Sequence, residues 1–189
     1  MKICILYGGT SKERDVSISS AQSILKALLD DKNIFGYDFD GNYDKLLDNI
    51  KDVDLVFNAL HGGGGEDGTI QKFLSDKNIR YTGSDANASK NAMDKHAAKT
   101  ICLENKILTP NWLYYKKVIR VAIFEMEILR FYDTDIVIKT SDEGSSIGLS
   151  IIKNFDAQDD IKRKMLDVSI SKCYEASRNV LIEEYIKGR

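Results

Sequence analysis

Asp54-Leu55-Val56-Phe57-Asn58-Ala59-Leu60-His61-Gly62-Gly63-Gly64-Gly65-Glu66-Asp67-Gly68 is the stretch that decides the fold. Its first seven residues read as a buried strand, and the apolar run stops at a loop holding five glycines. Glycine gives up more backbone freedom on folding than any other residue, so this density implies left-handed dihedrals or a close backbone approach to a ligand. Ile70, Phe73 and Leu74 follow at helical spacing. The same order occurs upstream. Residues 2–7 (KICILY) form a compact apolar run closed by Gly8-Gly9, then Ile18, Ala21, Leu25 and Leu28 recur with helical period, with Leu29 widening the stripe and Ser17 as the expected N-cap. A strand over residues 34–39, a helix carrying Leu46, Leu47 and Ile50, and a fourth strand over residues 79–82 complete the series. Strands alternating with helices indicate an α/β fold with a mostly parallel sheet, the architecture of Rossmann-like domains.

The pattern changes after Gly83-Ser84. Residues 91–106 read as one longer helix, with the single proline, Pro110, in an extended link that ends at Trp112. Residues 118–131 are dense in apolar residues but follow neither period. Residues 135–139 and 147–152 read as two strands of a hairpin joined by a polar turn, followed by a helix over 157–175 and a strand over 180–186. Residues 1–84 are therefore expected to form an α/β domain and residues 85–189 an α+β domain.

Composition narrows the function classes. Lys and Arg number 27 against 29 Asp and Glu, a net charge of -2, which argues against a nucleic-acid surface. Cys4, Cys102 and Cys173 are odd in number and scattered, without a CxxC pair or Cys/His cluster, so neither a disulfide framework nor a zinc site is expected. The first apolar run is too short for a signal peptide and no later one is long enough to span a membrane. The expectation is a cytoplasmic protein that engages neither nucleic acid nor membrane.

Several short motifs suggest chemistry. The Gly8-Gly9-Thr10-Ser11 turn lies where open α/β sheets bind ligands, yet it matches neither the dinucleotide nor the P-loop fingerprint. Glu13 just beyond it is a carboxylate suited to a substrate ammonium. Lys139 ends a hairpin strand before Glu143-Gly144-Ser145-Ser146, and a lysine beside small residues with free backbone N–H groups suits a phosphate. A serine hydrolase is the main decoy, because His61-Gly62-Gly63-Gly64 imitates a lipase oxyanion loop and Gly144-Ser145-Ser146-Ile147-Gly148 fits G-x-S-x-G. It fails on chain order: both histidines, His61 and His96, precede Ser146, and the turn joins two strands rather than a strand and a helix.

Taken together, the motifs carry a resemblance. The block from Gly8 to Ser17, the run Leu60-His61-Gly62-x-x-Gly65-Glu66-Asp67-Gly68-Thr69-Ile70-Gln71, Ala92-Met93-Asp94-Lys95, Glu143-Gly144-Ser145-Ser146-Ile147-Gly148-x-Ser150 and Leu181-Ile182-Glu183-Glu184-Tyr185-Ile186 occur in this order. The sequence resembles D-alanine–D-alanine ligases, which join two D-alanines using ATP and Mg²⁺ or Mn²⁺ on an ATP-grasp architecture for peptidoglycan synthesis. By that resemblance Glu13 anchors the first D-alanine's ammonium, Ser145 belongs to the substrate-orienting network, and His61, Gly62 and Gly65 line the first D-alanine subsite. Lys95 and Lys139 contact the ATP phosphates, Ser146 covers them, Glu183 takes the adenine amino group, and the backbone from Glu184 to Ile186 reads the ring edge. The family also implies a homodimer.

The resemblance has departures. Thr140 follows Lys139 where the family usually has proline, Asp142 stands where a basic residue is common, and residues 116–134 match nothing well. The family continues beyond the match with a further lobe carrying the metal ligands and the arginine that stabilises the tetrahedral intermediate. The chain is thus expected to correspond to the N-terminal domain plus the smaller ATP-grasp lobe, and to be inactive by itself. The alternative is a nucleotide-binding or subunit-contact module without turnover.

Overall fold

The computed structural model describes residues 1–28, 31–116, 127–177 and 179–188. Two compact units divide the chain, Met1–Ala92 and Met93–Arg189.

In the first unit β1 (Ile3–Gly8) lies between β2 (Ile34–Phe39) and β3 (Leu55–Asn58), all parallel. Period-two alternation sends Cys4 and Leu6 to one face and Ile5 to the other. Helices α1 (Arg14–Ala27), α2 (Tyr43–Ile50) and α3 (Thr69–Asp76) follow the three strands, and a further helix, α4 (Ala86–Met93), comes later in the chain. Leu46, Ile50, Ile70 and Leu74 cover the Cys4–Leu6 face, while Ala21, Ile24 and Leu25 cover the Ile5 face. Apolar cover on both faces is what a parallel sheet requires.

Residues 79–82 do not form the expected fourth strand. They contribute one parallel bridge, Val56 to Tyr81, so the sheet has three strands. Ser17 is not an N-cap either: α1 begins three residues earlier. Ser17 is buried, its hydroxyl accepting from Gly8 N (2.9 Å) and donating to Ala59 O (2.6 Å), which ties the carboxyl ends of β1 and β3 together.

In the second unit the expected single helix is interrupted after Met93, and α5 (Lys95–Glu104) starts afresh. Asp94 is extended (φ -79°, ψ 104°) and its carboxylate accepts from the backbone N–H groups of His96 and Ala97, the geometry of an N-cap. The sheet is antiparallel, ordered β4 (Trp112–Lys116), β7 (Asn179–Glu184), β5 (Thr134–Thr140), β6 (Ser150–Phe155). Trp112, expected only to end a link, opens edge strand β4. The hairpin is present, but β6 begins at Ser150 because residues 147–149 remain in the turn. Helix α6 (Asp160–Ala176), capped by Asp159, packs Leu166 and Cys173 against Ile136, Ile138, Ile152, Val180 and Ile182. The unclassified segment 118–131 lies largely outside the described residues.

Burial pushes the Cys4 thiol up to about 12 and the Cys173 thiol up to about 11, whereas Cys102 is only half-buried. Since the thiolate is the reactive form, alkylation of the folded protein at about pH 8 is expected to modify Cys102 alone. Peptide mass spectrometry reads this directly, and label on Cys4 or Cys173 before unfolding would contradict the packing.

Candidate substrate and nucleotide sites

The first candidate site lies at the carboxyl ends of β1 and β3. Gly8, Gly9 and Gly62 adopt positive φ (87°, 82° and 66°), turning the chain where a Cβ would be strained. Ser11 links the two strand-end turns: its hydroxyl donates to His61 O (2.6 Å) and accepts from Glu13 N (3.1 Å). A Cβ on Gly62 would run into Glu13 Oε2, so this glycine admits the carboxylate beside the His61 loop. The imidazole of His61 is held at both nitrogens, with Ser20 Oγ 3.2 Å from Nε2 and Glu66 Oε1 3.6 Å from Nδ1. Gly65 has a different reason to be glycine. A Cβ there would meet Leu60 Cβ at 2.5 Å, and its carbonyl accepts from Asn58 Nδ2 and Gln71 Nε2. Arg14 pairs with Asp38 at 2.7 Å and donates to Gly9 O.

The second candidate site follows from strand parity. In β4, β5 and β7 the residues Leu113, Ile136, Ile138, Val180 and Ile182 point into the core under α6. The alternate residues, Trp112, Lys139 and Glu183, share the opposite face, where Trp112 pairs with Glu183 in register. The Glu183 carboxylate, buried, holds two ammonium groups: Lys139 Nζ on Oε1, and Lys99 Nζ on Oε2 at 2.8 Å. Lys95 Nζ donates to Glu143 O (2.6 Å) and Ser141 O (3.4 Å). Burial, with the charge of Lys139 as the next cause, holds the Lys95 ammonium below the ordinary lysine range. Lys99 and Lys139 against the single Glu183 carboxylate leave one positive charge on this face, which suits an anion.

The turn after Lys139 is pinned at several points. Ser141 Oγ donates to Asp94 Oδ1 (2.7 Å), Asp142 accepts from Ser177 Oγ and Asn179 Nδ2, and Cys173 Sγ donates to Gly148 O. Ser145 and Ser146 both adopt left-handed φ (49° and 59°), a conformation that costs about 1–2 kcal/mol per non-glycine residue. Glu184 accepts from Asn111 Nδ2 (3.1 Å), and the Ile186 side chain is exposed. Lys99 is the residue that sequence reading missed. It lies one turn from Lys95, so helical spacing put it on the same face, but helix lysines ordinarily face solvent.

Residues 41–84 match the family model for the D-ala D-ala ligase N-terminus. A D-alanine–D-alanine ligase from Carboxydothermus hydrogenoformans is 37% identical over 191 aligned residues, covering all of this chain and 58% of that protein. The ligase from Pelagibacter ubique is 38% identical, with 59% of its length covered. Among solved structures, the Bacillus anthracis D-alanine–D-alanine ligase complexed with ATP superposes with a TM-score of 0.81 at 32% identity, covering this whole chain and 60% of that one. A D-Ala:D-Ser ligase from Enterococcus faecalis gives 0.77 at 26%, covering 98% of this chain and 63% of that one. All of this chain aligns with D-alanine–D-alanine ligases, and it spans about 58% of the length of the curated relatives it matches. No helix of the described residues is long and apolar enough to cross a membrane.

Proposed function

We propose that this chain carries the first D-alanine subsite and one wall of the nucleotide site of an ATP-dependent ligase that makes D-alanyl-D-alanine for peptidoglycan. In this reading residues 1–84 form the N-terminal ligase domain and residues 85–189 the small ATP-grasp lobe. The first D-alanine's carboxylate oxygen attacks the γ-phosphorus of ATP, the bond to ADP breaks, and an acyl phosphate forms. The second amine then attacks that carbonyl carbon, loses its proton, and phosphate leaves from the tetrahedral intermediate. The protein's part is positioning and charge stabilisation. Glu13 holds the first ammonium, and His61 with Gly62 and Gly65 lines its pocket. Ser145 orients the substrate network, Lys95 and Lys139 hold phosphates under the Ser146 turn, and Glu183 with the Glu184–Ile186 backbone reads the adenine.

The observation that carries this reading is the Lys139–Glu183–Lys99 cluster, two ammonium groups on one buried carboxylate, with Lys95 near Lys139. Among the described residues no group of three or more His, Cys, Asp or Glu side chains forms a metal set. The similar D-Ala:D-Ser ligase from Enterococcus faecalis differs from the D-alanine–D-alanine ligases in its second amino acid, so that amino acid is not assigned to this chain.

Calorimetry with ATP tests the nucleotide wall. Weak, saturable binding is expected, because one wall buries less ligand surface than a closed pocket. Lys139→Ala should weaken it about tenfold. Lys95 loses its charge earlier than an ordinary lysine as pH rises, so affinity should fall with rising pH and binding should take up protons. Equal heats from both proteins would remove Lys139 from the site, and absent binding would overturn the nucleotide reading.

A further inference from the structure

Lys99 is a buried charge that the reaction above does not use. Only 8% of the residue is exposed, too little to reach a phosphate as Lys95 or Lys139 would. Its ammonium is fully engaged: Glu183 Oε2 at 2.8 Å, Thr109 Oγ1 at 2.8 Å, and the Trp112 ring centroid at 5.1 Å. A buried lysine is retained only where such partners offset its desolvation, and here Glu183 and Trp112 lie on the face of the sheet that bears Lys139.

We propose that Lys99 is a positioning residue that fixes the Glu183 carboxylate as a purine reader. This rests on the nucleotide reading given above. By occupying Oε2, Lys99 confines Lys139 to Oε1 and prevents the two side chains from closing into a neutral bidentate pair. A carboxylate has about four acceptor sites, so two ammonium partners leave sites that accept only from a donor. A 6-amino purine supplies such a donor at that edge, whereas a 6-oxo purine presents an acceptor and is repelled. Lys99 also leaves the cluster with one net positive charge, so Lys139 keeps its attraction for phosphate. Lys99 thereby couples base selection to phosphate binding without touching the nucleotide.

The test compares ATP with inosine triphosphate, which differs at the purine 6-position, using calorimetry on the whole chain. The wild-type protein is expected to prefer ATP about tenfold, in line with the larger discrimination available when a site's polar group would be left opposed. Lys99→Met, which keeps the stem against Trp112, should bring that ratio to about one; Lys99→Arg should restore most of it, since a guanidinium can hold the carboxylate and stack on the indole. Melting curves report folding, and if Lys99→Met does not fold, Thr109→Val, which removes one anchor of the ammonium, should still lower the ratio about twofold or more. A structural role alone would weaken both nucleotides equally and leave the ratio unchanged, and that result overturns the proposal. Equal affinity of the wild type for both nucleotides also overturns it while leaving the nucleotide reading standing. Binding of neither nucleotide overturns the reading on which it rests.

Discussion

Replacing Glu13 with glutamine, in a protein spanning the full length of these relatives, is expected to lower kcat/KM for D-alanine about 100-fold while the KM for ATP stays within about twofold. Glu13 directly precedes α1 and makes no side-chain cap bond to it. Its carboxylate stands instead against Gly62, where the positive φ and the missing Cβ leave room for it. The Ser11 hydroxyl, held between Glu13 N and His61 O, fixes the backbone that presents it. Glutamine preserves this shape and removes only the charge. A charge-assisted hydrogen bond is roughly twice as strong as a neutral one, and losing one partner of a charged pair costs about 2–5 kcal/mol. Lys95, Lys139 and Glu183 belong to the other unit, which is why ATP use should be spared. Steady-state kinetics with each substrate varied separately makes the measurement. A fall in ATP affinity with D-alanine use unchanged would contradict the assignment of Glu13.

What the sequence made legible was whatever local periodicity controls. The apolar runs of β1 and β3, each ended by glycines, were readable because burial on both faces produces continuous hydrophobic stretches. The antiparallel character of the second unit was readable from the short β5–β6 connection. The errors fall where one side chain or one pairing overrides the pattern. Residues 79–82 have strand composition, yet pairing is a tertiary event and only Tyr81 meets Val56. The apolar spacing across residues 91–106 runs past Asp94, whose carboxylate competes for backbone N–H groups and restarts the helix. Ser17 resembled a cap for the same chemical reason, but its hydroxyl serves backbone groups of β1 and β3. Lys139 and Glu183 are 44 residues apart. Only the registers of β5 and β7 place them on one face, and no local signal in the sequence could show that Lys99 joins them.

A polypeptide of residues 1–189 alone should form no measurable D-alanyl-D-alanine from ATP and D-alanine, a loss larger than that of any substitution above. Transfer of a γ-phosphoryl group depends on divalent cations that bridge phosphate oxygens and neutralise developing charge, and such an ion needs several oxygen ligands in near-octahedral array. The carboxylates around the lysine cluster are already committed: Glu183 to Lys99 and Lys139, Asp142 to Ser177 and Asn179, and Asp94 to the start of α5 and Ser141. Freeing Glu183 for a metal would strand the buried Lys99 ammonium and take from Lys139 its carboxylate partner. The tetrahedral intermediate also needs a donor for its oxyanion, and removing one such donor costs about 100-fold to 1,000-fold; in the proposed reading Lys95 and Lys139 serve the phosphates instead. Supplying the remaining length of the relatives, in cis or as a separate polypeptide, should restore synthesis. Phosphate and dipeptide measured together, with Mg²⁺ and saturating D-alanine, decide the matter. Turnover by residues 1–189 near that of a full-length ligase would mean that these carboxylates exchange their lysine and backbone partners for metal during the reaction.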